Sequence, residues 1–597
     1  MQNLAVLLTD NLTDKEREGF ERYASEFKKM EENPNQSVGI LAENWAKETP
    51  NKVALYFEEK SWTWKTFNEE SNKFANYFHK LGIKQDETVI VMMWNSPKYL
   101  FLTTGINKLQ GRSALVNIHQ RKTALIHAIT IVKPVYAVVD GDCLPYFEDV
   151  VKELSFKKNE IFVINNPKKI AHDYVDLNEE LKIASVENPS TTNNSELLDI
   201  GTYIYTSGTT GLPKAVMMRN DALVWNGVFY GYSVSQANSN DTVYIPNPLY
   251  HSLAMCTAWG IASYFGATVA LRRKFSASNF WKDVKKYNVT FTTYVGEIPR
   301  YLLNQPPSEE DGHHTLKKML GLGLKKNIWS EFKSRFNIEH IFEYYSSTEG
   351  FGPISNFDEK PGMIGRHVLE VHALAKVNPE TNEFYKDEQR FYIKCKPGEI
   401  GMSLMKIEDI DNFYKYSEKD KTNQRVIRNV FKEGDAFFIT GDILKLHDDL
   451  WLSFMDRIGD TFRFKGENVA TQEVENIINT HPGILHSAIY GVELPQKDGK
   501  AGMGALELNP SKEFNLDEFS QFVTEVLPSY SIPIFLRIRE ELEVTGSQKI
   551  RKVNLRKDGY NLDKIRDPIY FWDASRKVYV PFDDKLYQDI VNGKIIL

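Results

Sequence analysis

Residues 202–214 read Thr-Tyr-Ile-Tyr-Thr-Ser-Gly-Thr-Thr-Gly-Leu-Pro-Lys, a concentration of anion-binding chemistry. A short β-like run, 202–205, feeds six consecutive residues that are all Gly, Ser or Thr. Gly208 and Gly211 lack a Cβ, so backbone N–H groups there approach an anion closely. Thr206, Ser207, Thr209 and Thr210 add hydroxyl donors, and Lys214 adds a fixed positive charge. Such a loop suits the β- and γ-phosphates of a nucleotide. It is not a Walker A loop, whose GxxxxGK[ST] pattern opens a helix. Here Lys214 follows a proline and precedes Ala215-Val-Met-Met218, which reads as a strand.

Four further motifs follow in order. They are Tyr345-Ser-Ser-Thr-Glu349, Phe438-Ile-Thr-Gly-Asp442, the stretch 456–468 (Asp-Arg-Ile-Gly-Asp-Thr-Phe-Arg-Phe-Lys-Gly-Glu-Asn), and Thr545-Gly-Ser-Gln-Lys549. With the Thr/Ser/Gly loop they resemble the adenylate-forming superfamily of acyl-CoA synthetases, luciferases and peptide-synthetase adenylation domains. The resemblance runs along nearly the whole chain. Residues 274–281, 294–307 and 459–469 are similar to one branch in particular, the fatty acid transport proteins or very-long-chain acyl-CoA synthetases.

That resemblance implies a reaction and a site. A carboxylate is a poor electrophile, since its leaving group would be oxide. Attack on the α-phosphate of ATP expels pyrophosphate and makes AMP the leaving group, and coenzyme A then takes the acyl group. Two anions must meet, so the site must supply positive charge. The family pattern assigns Mg²⁺ to Glu349, the α-phosphate to Thr348, and the ribose hydroxyls to Asp442. Arg457 is a second ribose or phosphate candidate. Tyr345 belongs to the same nucleotide set, and Gly321-Leu-Gly323 resembles the backbone segment that packs on adenine. Lys549 would bridge the substrate carboxylate and the α-phosphate. His251, in Pro248-Leu-Tyr-His-Ser252, aligns with a histidine that lines the acyl pocket. The family's C-terminal domain rotates between the half-reactions. Its hinge commonly carries Asp or Lys where this chain has Gly459, and Ser346 replaces the usual glycine of the Tyr345 motif.

No protein nucleophile is needed for the second half-reaction. A thiol of pKa ~8.5 is partly thiolate at neutral pH and attacks the acyl-adenylate directly. None of Cys143, Cys256 and Cys395 stands in a catalytic pattern. The expected activity is therefore a long- or very-long-chain fatty acid–CoA ligase using ATP, Mg²⁺ and coenzyme A. The alternatives are a ligase for another apolar acid, such as a sterol-derived or aromatic one, a membrane-associated fatty-acid uptake protein, and a luciferase-like oxygenase.

The elements that must position these residues alternate. Val53–Phe57 and 61–64 read as a hairpin. Thr66 and Glu69 form a capping-box signature, followed by Phe67, Phe74, Phe78 and Leu81 at helical spacing up to Gly82. Val89–Met93, a helix opened by Ser96-Pro97, 114–116, a helix over 123–132, and 135–139 continue the pattern. This order predicts an α/β fold with a largely parallel sheet covered by helices. Asn220-Asp221 read as the cap of a further helix. Residues 172–196, 306–314 and 408–429 are polar connections. Most aromatics in 244–301 read as core, and a subset could line a channel for an acyl tail, where each buried CH₂ contributes ~0.8 kcal/mol. The tail reads as helix 471–480, strands 487–492 and 503–508, helix 516–526 and strand 533–538. That is a compact α+β unit of about 140 residues, an ordinary domain size. The expected division is 1–456, binding nucleotide and acid, and 457–597, a mobile lid carrying Lys549.

Composition narrows the class. A net charge of −7 argues against a bulk nucleic-acid binder. Three scattered cysteines with no CxxC pair argue against a zinc ribbon or a disulfide framework and suit a reducing compartment. No run of about 18 apolar residues predicts a spanning helix. The apolar stretch 4–8 lacks the basic flank of a signal peptide; it suits a core helix, or a segment lying on a membrane surface. The expected location is the cytoplasm, with peripheral membrane contact left open.

Overall fold

The computed structural model describes residues 8–595 apart from 166–173, 207–211, 296, 304, 325, 347, 349–353, 378–382, 409–415, 418, 458–460, 466, 496–499 and 544–551. The chain divides into two compact units. The larger draws on residues 1–456 except for two short segments, and the smaller is built on 457–597.

Two sheets of mostly parallel strands form the body of the larger unit. One runs in the order Ile354–Asn356, His340–Tyr345, Lys318–Leu322, Phe291–Val295, Thr242–Ile245, Thr268–Leu271, Val53–Phe57, Lys60–Thr63. All neighbours are parallel except at the two edges. The other runs Val175–Asp176, Ile161–Ile164, Tyr136–Asp140, Thr88–Met92, Arg112–Leu115, Ile200–Thr206, Lys214–Arg219. The expected parallel α/β order holds here, because each crossover helix covers apolar strands that have no wet face. A third sheet is antiparallel and contains Ile400–Lys406, Ala436–Leu446 and His372–Lys376.

Local chemistry explains the element starts, and shifts some of them. The hairpin at 53–63 forms as read. The cap of the helix Trp64–Lys80 is Thr63, not Thr66; the Thr66 hydroxyl sits at the third helical position and completes the reciprocal box. Trp64 and Phe67 then pack on Trp259 in the core. Pro97 opens the helix Pro97–Lys108. The helix at 220 is not capped by a side chain; Asp221 instead takes the Arg219 guanidinium at 2.5 Å. At the N-terminal end, Leu8 makes an antiparallel bridge to Leu369, and the first described helix starts only at Asp14, with Thr13 in a capping box.

The smaller unit folds on one five-stranded sheet, Ile484–Glu493, Lys500–Leu508, Phe535–Arg539, Ile569–Asp573, Val578–Pro581. Helix Leu516–Val526 buries Phe519 and Val523 in the same core as Tyr490, Leu506 and Leu536. The last two strands, and the helix Asp584–Val591, were not legible as elements in the sequence.

One ion pair deep in the larger unit ties three helices together. The Lys108 ammonium is wholly buried and bonds Glu43 at 2.9 Å, Asn68 at 2.5 Å and Asn72 at 2.6 Å. Burial lowers its pKa from 10.5 to about 8, against the opposing pull of Glu43. The unfolded chain therefore holds this proton more tightly between about pH 8 and 10.5, so folding stability rises with pH across that window. Lys108→Met leaves three acceptors unpaired and is expected to cost ~3 kcal/mol at neutral pH. It should also remove the rise above pH 8; thermal unfolding followed across pH checks both.

Candidate functional site

Parallel strands present their ligands at their carboxyl ends, where loops leave the sheet. In the first sheet, the segments leaving those ends carry the motif residues. His251 and Ser252 follow Thr242–Ile245, Gly323 follows Lys318–Leu322, and Thr348 follows His340–Tyr345. The loop 247–249 is fixed by Asn95, whose side-chain amide donates to the Asn247 carbonyl at 2.8 Å and accepts from the Leu249 N–H at 2.8 Å. His251 lies half-buried beside Tyr250, with ring centroids 4.6 Å apart. The Ser252 and Thr348 hydroxyls meet at 3.5 Å, so the histidine loop and the Thr348 motif are brought together.

Glu343 organises the glycine segment. Tyr294, Gly321 and Glu343 lie in one row across three adjacent strands. A Cβ on Gly321 would stand 2.2 Å from the Tyr294 carbonyl oxygen and 2.7 Å from its ring, so only glycine fits there. Across that gap the Tyr294 phenol donates to Glu343 Oε1 at 2.6 Å. Glu343 also accepts from the Gly323 N–H at 3.0 Å and the Leu324 N–H at 2.9 Å. Burial and the adjacent carboxylate hold the Tyr294 phenol well above its usual pKa, so it remains a donor. None of the sequence motifs includes Glu343. Its signal is a carboxylate inside the apolar strand His340–Tyr345.

Two residues further along the same strand, and so on the same face, Tyr345 donates to Asp442 Oδ2 at 2.7 Å. Burial and then the Asp442 charge raise the Tyr345 phenol well above the ordinary value. Asp442 sits within the continuous strand Ala436–Leu446, not in a turn, and is buried. Thr206 ends its strand and Lys214 begins the next, with Lys214 buried. Arg457 ends the strand Trp451–Arg457. Ser207, Gly208, Thr209, Thr210, Gly211, Glu349, Gly459 and Lys549 lie outside the described residues.

Cys256 and Cys395 are unsuited to nucleophilic work. Burial raises Cys256 to about 12 and Cys395 to about 11, and a thiol is nucleophilic only as thiolate. Among the described residues no group of three or more His, Cys, Asp or Glu side chains could hold a metal. Mg²⁺ that travels with phosphate oxygens needs only one or two carboxylates, and Glu349 is the donor the sequence offers. No helix among the described residues is long and apolar enough to cross a membrane.

Comparison with known proteins gives the family. Residues 42–401 match the AMP-binding enzyme model, and residues 473–549 match the AMP-binding enzyme C-terminal domain. Long-chain fatty acid transport protein 2 of Rattus norvegicus is 36% identical over 563 residues, covering 92% of this chain and 90% of that protein. The medium/long-chain-fatty-acid–CoA ligase FadD6 of Mycobacterium tuberculosis is 30% identical over 562 residues, covering 94% and 92%. Among solved structures, o-succinylbenzoate CoA synthetase from Bacillus subtilis has a TM-score of 0.71 at 20% identity, covering 88% of this chain and 98% of that one. The fatty acyl CoA synthetase of Mycobacterium tuberculosis has a TM-score of 0.58 at 20% identity, with the same coverage. The chain belongs to the AMP-binding enzymes, in the branch of the long-chain fatty acid transport proteins.

Glu343→Gln tests how far the buried carboxylate holds the glycine segment. An amide can turn only one acceptor oxygen toward the phenol and two N–H groups, leaving a buried donor unpaired at a cost of ~1–3 kcal/mol. The expected result is a rise of about tenfold in the KM for ATP with coenzyme A kinetics unchanged, read in steady-state assays.

Proposed function

We propose that this chain is an AMP-forming fatty acid–CoA ligase acting on a long- or very-long-chain acid. It joins the acid to ATP, releasing pyrophosphate, and passes the acyl group from the resulting adenylate to coenzyme A. The observation that carries this reading is the convergence of separate motifs on one strand. His340–Tyr345 ties the Gly323 segment through Glu343 and Asp442 through Tyr345, and leads directly to Thr348. The 30% identity to a medium/long-chain-fatty-acid–CoA ligase supports the acid class.

In this reading Gly321 and Gly323 offer backbone to the adenine, and Asp442 accepts the ribose hydroxyls, with Arg457 as the second contact. Thr348 donates to the α-phosphate. The 206–214 loop, Thr206 through Lys214, cradles the outer phosphates. Mg²⁺, held in part by Glu349, supplies charge neutralisation on the triphosphate. Lys549 bridges the carboxylate and the α-phosphate during adenylation and withdraws as the C-terminal domain turns about the segment at Gly459. His251 borders the acyl group. Catalysis needs no protein nucleophile, which agrees with the raised cysteine thiols. The protein works in the cytoplasm or peripherally on a membrane, where its substrate partitions.

Two measurements test the reading. Release of AMP, dependent on ATP, Mg²⁺ and coenzyme A, is expected to be highest with long-chain acids in a panel that includes aromatic and sterol-derived acids. A preference for the latter would move the substrate class. Lys549→Ala is expected to lower acid-dependent pyrophosphate release by ~100-fold or more, the size of effect seen on removing one preorganised charge or donor. Near wild-type release would remove Lys549 from the first half-reaction.

A further inference from the structure

The Asp442 carboxylate is held by more than Tyr345. In the antiparallel pair Ile400–Lys406 and Ala436–Leu446, Leu404 is opposite Ile439 and Met402 is opposite Ile443. One residue, Ser403, therefore faces three, Thr440, Gly441 and Asp442. This is a bulge, with Gly441 at φ +83°. The Thr440 hydroxyl donates to the Ser403 carbonyl at 2.9 Å and accepts from the Asp442 N–H at 3.1 Å. The Ser403 hydroxyl stands 3.4 Å from the Tyr345 phenol oxygen and 3.0 Å from His372 Nε2. His372 comes from the next strand, His372–Lys376.

The protons in this row have a direction. Tyr345 has one, and the 2.7 Å contact commits it to Asp442. Ser403 then turns its own proton to the phenol oxygen, leaving its lone pair to His372. The Nδ1 of His372 is buried with no hydrogen-bond partner, and a buried lone pair is easier to leave unmatched than a buried N–H. The proton therefore belongs on Nε2, donating to Ser403. Burial, reinforced by His367, keeps the imidazole neutral. All four side chains are buried, Ser403 completely.

We propose that His372 and Ser403 are positioning residues that hold Asp442 through Tyr345 in a one-way hydrogen-bonded row, and so set how strongly the enzyme requires the ribose hydroxyls of ATP. The proposal rests on the reading of Asp442 as the ribose ligand. Each donor in the row polarises the next, and the carboxylate at its end is fixed in one orientation. Neither Ser403 nor His372 touches the nucleotide in this scheme.

The test compares kcat/KM for ATP with that for 3′-deoxy-ATP, using the full-length enzyme and a fatty acid it turns over. Ser403→Ala and His372→Phe are each expected to lower the ATP to 3′-deoxy-ATP ratio about fivefold, the worth of one buried hydrogen bond. The change should lie in the KM for ATP, with kcat and the KM for coenzyme A unmoved. Ser403→Thr and His372→Gln, which keep a donor, should restore the ratio. Asp442→Asn separates the two levels of inference. If Asp442→Asn collapses the ratio while Ser403→Ala and His372→Phe, with unchanged melting temperatures, leave it intact, the positioning role is wrong. If Asp442→Asn itself leaves the ratio intact, the ribose assignment fails and the positioning role with it. Should His372→Phe not fold, Ser403→Ala alone decides.

Discussion

Bringing a carboxylate to a triphosphate means forcing two anions together at one phosphorus atom. Unscreened, unit charges ~4 Å apart at the effective dielectric of a protein surface repel by about 4 kcal/mol, and a triphosphate carries several. The chemistry therefore depends on donors and positive charge fixed in place before the substrates meet, so that no reorganisation is needed at the moment of reaction. The structure answers this with rigidity. Of the residues that face the nucleotide in the proposed function, Gly323 and Thr348 leave the carboxyl ends of parallel strands and Asp442 lies within a bulged strand. Each of the three is tied by a second group: Gly323 by Glu343, Asp442 by Tyr345, and Thr348 by Ser252.

Rigidity of this kind is built from buried polar groups, which are costly unless every partner is satisfied. Glu343 shows how the cost is met. Its carboxylate takes a phenol and two backbone N–H groups, and the phenol reaches it only because Gly321 has no side chain in between. Asp442 is treated similarly from the antiparallel sheet, where one bulge turns it aside and exposes it to Tyr345. Lys108 is the structural counterpart, a buried charge that joins three helices.

The body of the fold was legible because its signals are periodic. Apolar runs such as Val89–Met93 and 137–139 are fully buried, and the parallel order followed from such runs. Cap positions were less legible. Thr63 and Thr66 have the same chemistry three residues apart, and each hydroxyl accepts from the other's backbone N–H, so residue type alone does not say which one leads. Gly and Asp favour turns, yet the strand continues through the Thr-Gly-Asp motif, where Ser403 and Thr440 bridge the bulge. The nucleotide motifs were legible as residue types in a fixed order. Their supports were not. Glu343, Tyr294, Asn95, Ser403 and His372 act across strands distant in sequence, and a lone polar residue in an apolar run does not announce its partner.

Attack of the acid's carboxylate on the α-phosphate of ATP is tested most directly by isotope transfer. With a fatty acid labelled with ¹⁸O in its carboxylate, one turnover in the presence of coenzyme A should place a single ¹⁸O in the AMP and none in the pyrophosphate. Label found in a phosphate or pyrophosphate product, or ADP formed in place of AMP, would contradict it.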